Sequence, residues 1–377
     1  MSEQGSRPEN DAPAALGGEA LGARPGPTSV LMKVLSAALS GGLLVLLFVV
    51  IIPELGSLED VWAAIRSMSA VTFTVLLIGG LVIRVLLAAA YPPVIPGLSF
   101  LRSLIARESS SAVSNVIPGP SGTATQYVVL RSWGVSTERF AGATVSVSVI
   151  TDALVFAGPG LFMVLWVLVG QPAKTGSHNI WLIGSIALVV TTITVILLVA
   201  IARSERLAAL VGRVCQACVN PFRRVFDKPR ITTWPDRARV LRADTLHLVR
   251  GHATALCVCI VGGYVLNGFL LVGSLWACGV THSEMPMSMG LFLYAAGRVA
   301  TIVPITPGAI GVAEVVYTAV YVAVLGEESQ STVVAGVLVY RALTYALPLV
   351  TGIISYVAWR IMRRKEIHEA ATAGAPD

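Results

Sequence analysis

The chain has 377 residues, 55% of them hydrophobic and 13% charged, with a mean hydropathy of +0.77. That balance excludes a soluble domain of this size. The net charge of +6 sits at the ends of apolar runs, which points to membrane orientation and inner-leaflet contact and not to nucleic acid. Residues 1–29 mix Gly, Pro and Ala with scattered charges, show no periodicity and read as a disordered cytoplasmic tail. Apolar runs at 31–52, 71–91, 140–169, 180–201, 252–279 and 332–359 each approach or exceed the ~20 residues that carry a helix across a bilayer. The first has full spanning length and no clear small-residue cleavage site after it, so it is expected to remain as a span and not to be removed as a signal peptide. Trp166, Trp181, Trp276 and Trp359 lie near span ends and read as interfacial anchors.

Orientation follows from Lys and Arg. Residues 203–251 carry Arg203, Arg206, Arg213, Arg223, Arg224, Lys228, Arg230, Arg237, Arg239, Arg242 and Arg250 against Glu205, Asp227, Asp236 and Asp244. This basic loop and the end bearing Arg360, Arg363, Arg364 and Lys365 are expected in the cytoplasm, the loop against anionic inner-leaflet lipids. The connections 53–70 and 170–179 hold only Arg66 and Lys174 and are expected outside. Cys215 and Cys218 form a lone CxxC without a second pair at ligand spacing, which is weak evidence for a metal or redox site. Cys257, Cys259 and Cys278 lie in an apolar span and read as packing residues.

Counting crossings leaves two segments over. Residues 100–130 must enter and leave on the cytoplasmic side, and residues 287–325 on the outside. Each contains a broken, polar stretch: "SNVIPGPSGTATQY" at 114–127 and "VPITPGAIG" at 303–311. Both read as re-entrant helical hairpins, the first turning at Pro118–Gly122. Gly119 and Gly122 match Gly308 and Gly311 at a constant separation of 189 residues, and Gly134 matches Gly326 with a shift of three. Short Gly/Pro-interrupted segments in oppositely oriented halves mark a transporter's midplane site, where irregular backbone is tolerated because protein or water surrounds it. The expected architecture is therefore an all-α polytopic membrane protein with six full spans and two re-entrant hairpins in an inverted repeat, both termini cytoplasmic. The tail 1–29 precedes a first membrane half, 30–202. The basic loop 203–251 leads to a second half, 252–360, and a cytoplasmic tail, 361–377.

The order of a Pro-Gly-rich motif, a long span with a buried Asp, then "PITPGAIGVAE" and a late span with an Arg resembles the flippase-like transmembrane family named after lysylphosphatidylglycerol synthase. The resemblance covers roughly 30–360, most specifically 114–152 and 303–345. It implies a lipid-translocation domain that carries a charged or glycosylated lipid between leaflets. Pro307, Gly308, Gly311 and Glu314 stand where the family pattern has Pro-Gly, Gly and Glu. In the first motif family members commonly have Glu after the Gly, where this chain has Thr123, and a Glu-Arg pair before the Asp, where it has Ser148 and Val149 ahead of Asp152. The soluble aminoacyl-transferase domain of the founding member is not matched, and lipid synthesis is not expected.

The residues carry a chemical reading of their own. Arg84, Asp152, Arg298, Glu314 and Arg341 fall inside membrane segments, and each charge alone would oppose insertion by ~2.5–3.5 kcal/mol at the bilayer centre. They must pair or line a hydrated cavity, and pairing three cations with two acids leaves one Arg, suited to a phosphate. Arg84, close to the cytoplasmic end of its span, is expected to snorkel. The candidate substrate-binding residues are Arg341, Arg298, Asp152, Glu314, Gly119, Gly122, Thr123, Gly308, Gly311 and Asn115. Ser114, Ser121 and Thr125 are expected mainly to satisfy the broken backbone. No HExxH, GxSxG or GxxxxGK[ST] motif occurs, so no catalytic residue, metal or cofactor is assigned. The expected function is a lipid flippase of the plasma membrane. An intramembrane lipid-modifying enzyme, or an assembly partner of a cell-envelope glycosyltransferase, is the alternative, and a homo-oligomer or an envelope-biosynthesis enzyme is open as partner.

Overall fold

The computed structural model describes residues 58–117, 119–169, 178–225, 230, 232–301 and 306–373. The tail 1–29, the span expected at 31–52, Pro118 and residues 302–305 of the second break lie outside the described residues. All regular structure among the described residues is helical. In chain order the helices are α1 Leu58–Ser67, α2 Ala70–Ala89, α3 Phe100–Val116, α4 Ser121–Arg131, α5 Thr137–Val169, α6 His178–Arg203 and α7 Glu205–Val225. The second half follows with α8 Trp234–Ala277, α9 Met287–Ala300, α10 Val312–Leu325, α11 Gln330–Arg341 and α12 Leu347–Ala373. Five stretches are long and apolar enough to cross a membrane: Ala70–Ala89, Thr137–Val169, Trp181–Arg203, Trp234–Ala277 and Glu327–Glu366. They coincide with five of the six expected spans.

Local chemistry sets the boundaries. Ser69 caps α2 by accepting from the Thr72 N–H at 3.1 Å, and Ser99 caps α3 through the Arg102 N–H at 3.4 Å. Next, α3 stops two residues short of Pro118, where the residue before a proline leaves the helical region. Inside α5, Pro159 removes one helical donor. Thr191 of α6 sits at this weakened point: it accepts from the Gly160 N–H at 3.0 Å, and its hydroxyl reaches the Ala157 carbonyl at 3.1 Å. A neighbouring Thr that satisfies backbone freed by proline is how membrane helices tolerate one. Thr191→Val is expected to cost about 1–2 kcal/mol, because it keeps the shape but orphans a buried N–H; reversible unfolding of the purified protein measures it.

The helices expose apolar side chains where lipid is expected. Leu182, Ile186, Val189, Ile193 and Ile196 of α6 are all exposed, as are Val350, Ile353, Ile354 and Val357 of α12. The larger of two buried clusters joins second-half residues to Leu76, Ile83, Val155 and Trp166 of the first half and carries an aromatic ladder. Tyr264 packs on Tyr294 with ring centroids 5.4 Å apart, Tyr294 stacks on Tyr317 at 6.2 Å, and Tyr317 meets Tyr340 edge-on at 5.8 Å. Trp166, read as an interfacial anchor, belongs to this core instead: it is 1% exposed and stacks on Phe292 at 6.0 Å.

The described residues of the basic segment 203–251 are largely helical. They form α7 and the first part of α8, which pack together, and the chain kinks at His252, where φ/ψ is −132°/22°. Arg242 of α8 donates to the Ile201 and Ala202 carbonyls at 2.9 and 2.6 Å, capping the C-terminal end of α6 with a cation. Cys215 and Cys218 are exposed free thiols on α7, Cys259 and Cys278 are buried, and Cys257 is exposed.

The two short helix pairs position the site. At 17 and 11 residues, α3 and α4 reach roughly 25 and 16 Å, less than the ~30 Å hydrocarbon layer. They pack on one another, and α3 also lies along α12. Trp359 of α12 donates to the Ser132 hydroxyl at 2.9 Å, and Arg102 of α3 pairs with Glu366 at 3.1 Å.

Candidate functional site

The interrupted backbones of the two pairs meet. Asn115, at the end of α3, donates its side-chain amide to the Tyr345 carbonyl at 3.0 Å, and the Tyr345 hydroxyl donates back to the Asn115 carbonyl at 3.1 Å. Tyr345 lies in a π-helical turn, Ala342–Ala346, inserted between α11 and α12. Such turns interrupt a helix at a cost and are found disproportionately at functional sites. Gly308 sits against both Tyr345 and Asn115. Gly119 and Gly308 both occupy the left-handed region, at φ +85° and +56°. At Gly308 a Cβ would also strike the Tyr345 ring, so both backbone and space require glycine there.

Around this junction lies a cavity of about 380 Å³. Arg84, Arg107, Arg298 and Arg341 all line it, together with Asn115, Asn267 and Thr301. A smaller cavity of about 110 Å³ shares Arg107, Arg298 and Asn267 with it. Among the described residues no Asp, Glu or His lines either one.

Two carboxylates stand directly behind the lining. Glu314, 5% exposed in the first turn of α10, accepts from Arg341 Nε at 2.7 Å through Oε1. Its Oε2 has no hydrogen-bond partner among the described residues. Arg341 also donates through Nη2 to the Gly308 carbonyl at 2.8 Å and lies over the Tyr345 ring at 5.3 Å. A single guanidinium therefore ties α10, the second break and the π turn together. Glu108 of α3, 2% exposed, accepts from Arg84 Nε at 2.9 and 3.1 Å and from the Thr351 hydroxyl at 2.5 Å. Arg84 consequently does not snorkel: its side chain is 15% exposed and turns inward to Glu108.

Arg107 and Arg298 make no ion pair among the described residues. Arg107 Nε is buried without a partner among the described residues. Arg298 is exposed and lines both cavities. Tyr317 and Tyr340 line the larger cavity with it and Tyr264 and Tyr294 the smaller, and the Tyr264 and Tyr317 hydroxyls are buried without partners among the described residues.

Of the residues singled out in the sequence, Arg341, Arg298, Asn115, Gly119 and Gly308 line the cavity, and Glu314 stands behind it. Gly311 is buried and caps α10 with φ +79°. Gly122 packs within α4 against Ser110 and Ser114 of α3. Thr123 is exposed and lines neither cavity. Asp152 is exposed on α5, lines neither cavity and forms no ion pair among the described residues, though the charge of Arg298 reaches it. Ser114, Ser121 and Thr125 each bond the carbonyl four residues back, at 3.0, 2.6 and 2.9 Å, as backbone satisfaction requires. Arg107, Glu108, Thr351 and Asn267 complete the site and were not singled out. Arg107 and Glu108 fall inside 100–130, the segment that the crossing count already places in the membrane, so position alone flags them.

Among the described residues no three His, Cys, Asp or Glu side chains come together as metal ligands. The site's chemistry is that of forked cationic donors beside broken helices, held in place by buried acids. No curated protein matches the chain significantly. The family described as the lysylphosphatidylglycerol synthase TM region matches it over residues 33–352, most of its length, and the chain belongs to that membrane family, whose description ties it to lipid.

Proposed function

We propose that this protein moves an anionic or glycosylated lipid between the leaflets of the plasma membrane by alternating access, with no covalent chemistry. The observation that carries the reading is the placement of four arginines around one cavity, at the junction of two interrupted helix pairs. Charges at that depth oppose insertion, and an arginine lining a cavity is suited to a phosphate headgroup whose acyl or prenyl tails stay in lipid.

In this reading α3–α4 and α9–α10 are re-entrant hairpins of an inverted repeat, opening to the cytoplasm and the outside, and both chain ends are cytoplasmic. Two pairs of matched glycines support the repeat by sharing left-handed backbone: Gly119 with Gly308, and Gly134 with Gly326 at φ +84° and +94°. The third match is looser, since Gly122 is inside α4 whereas Gly311 precedes α10. Rocking of the two halves about the junction would expose the arginines to each leaflet in turn. The basic face of α7 and α8 would rest on anionic lipid headgroups.

Topology tests the arrangement. Single cysteines at Ser99 and Arg131 are expected to react with impermeant reagent from the cytoplasm only, and those at Ser283 and Glu328 from the outside only. Either pair labelled from opposite faces sinks the inverted repeat.

A further inference from the structure

Building on the headgroup site just proposed, we infer that the cavity takes a headgroup with two negative charges, a terminal phosphate monoester or a diphosphate, in preference to a phosphodiester or a zwitterion. The argument is a count of charges. Four arginines line the cavity, and the carboxylates of Glu108 and Glu314 each neutralise one of them from behind the wall. Arg107 and Arg298 are left without an ion pair among the described residues. Arg107 Nε and the Arg84 terminal Nη2 are buried without protein partners among them, and the Arg107 charge acts on Arg84 as well.

A phosphodiester brings one negative charge and leaves one of the two cavity-lining arginines Arg107 and Arg298 without a counter-charge. A phosphate monoester carries about −1.5 to −2 near neutral pH and satisfies both. Asp152 lines neither cavity and forms no ion pair among the described residues, so it counts only as a more distant neighbour of Arg298. The phenols Tyr264, Tyr317 and Tyr340 add neutral donors: Tyr317 and Tyr340 line the larger cavity and Tyr264 the smaller. Among the described residues no histidine lines either cavity, so a pH effect between about 5 and 8 belongs to the ligand's second proton, which leaves at about pH 6.

The test uses the full chain in detergent micelles and soluble short-chain probes, read by calorimetry. Dihexanoyl phosphatidic acid is expected to bind at least about tenfold tighter than dihexanoyl phosphatidylglycerol at about pH 8, the scale of one added charge-assisted pair. That ratio should fall toward one as pH drops to about 5 and the monoester gains its proton, with phosphatidylglycerol nearly unchanged. Arg107→Gln and Arg298→Gln are expected to weaken both probes and to bring the ratio toward one. Farnesyl phosphate and farnesyl diphosphate, added as further arms, separate a monoester from a diphosphate by which binds tighter. Equal binding of the two glycerolipids at about pH 8 overturns the inference but leaves an anion site standing. So does a ratio that survives in a folded Arg107→Gln/Arg298→Gln protein. If no probe binds, the headgroup site falls as well.

Discussion

Arg341→Ala is expected to abolish lipid translocation in proteoliposomes. This side chain lines the cavity, so its loss removes a headgroup ligand. It also holds Glu314 at 2.7 Å and the Gly308 carbonyl at 2.8 Å, so its loss strands a carboxylate that is only 5% exposed. Breaking a buried pair from one side costs about 3–5 kcal/mol, and part of the defect could then be folding. Two further variants separate the effects. Arg341→Lys keeps the charge but loses the fork that serves Glu314 and Gly308 together, and should restore transport only in part. Arg341→Gln combined with Glu314→Gln leaves neither partner charged; it should recover most of the stability and none of the transport. A folded Arg341→Ala protein that moves lipid at the wild-type rate means the headgroup site is elsewhere.

Glu108→Ala is expected to lower stability by about 3–5 kcal/mol, the cost of leaving a buried Arg without its acid. Glu108 accepts both contacts from Arg84 Nε and the hydroxyl of Thr351, so one carboxylate joins α2, α3 and α12. Replacing both charges, as Arg84→Met with Glu108→Leu, should recover much of that loss, since apolar side chains of similar volume often substitute for a buried pair without penalty. Denaturant unfolding in micelles measures the set. A Glu108→Ala protein as stable as wild type would show that the pair holds nothing together.

The spans were legible because lipid enforces long apolar runs: five of the six expected runs reappear as helices within a few residues of their ends, apart from the extended start of α8 and the composite last span. The breaks were legible for the complementary reason. Pro and Gly cannot continue a helix, and the crossing count left 100–130 and 287–325 over before any motif was weighed. The partners of charges were harder to see. Pairing is a property of space, and Glu108 and Thr351, 243 residues apart, meet only when α3 lies along α12. Arg84 illustrates the error that follows: judged by depth alone it can reach the membrane surface, but a carboxylate 24 residues away holds it inside. Asp152 shows the converse, since depth in a span did not bring it into the cavity. The helices inside the basic segment were not read from the sequence, since what sets α7 against α8 is a spatial contact, Gly212 on Trp234, Pro235 and Ala238.

The central claim is that the protein itself carries lipid across the bilayer. The direct measurement is loss of fluorescence from a phosphatidic acid labelled on its short acyl chain, its phosphate monoester left free, in liposomes when a membrane-impermeant reductant is added outside. Liposomes containing the purified protein, without nucleotide, should lose signal beyond the outer-leaflet fraction, and those with the Arg341→Gln/Glu314→Gln variant should stop at that fraction. A wild-type trace that plateaus with protein-free liposomes would contradict the account.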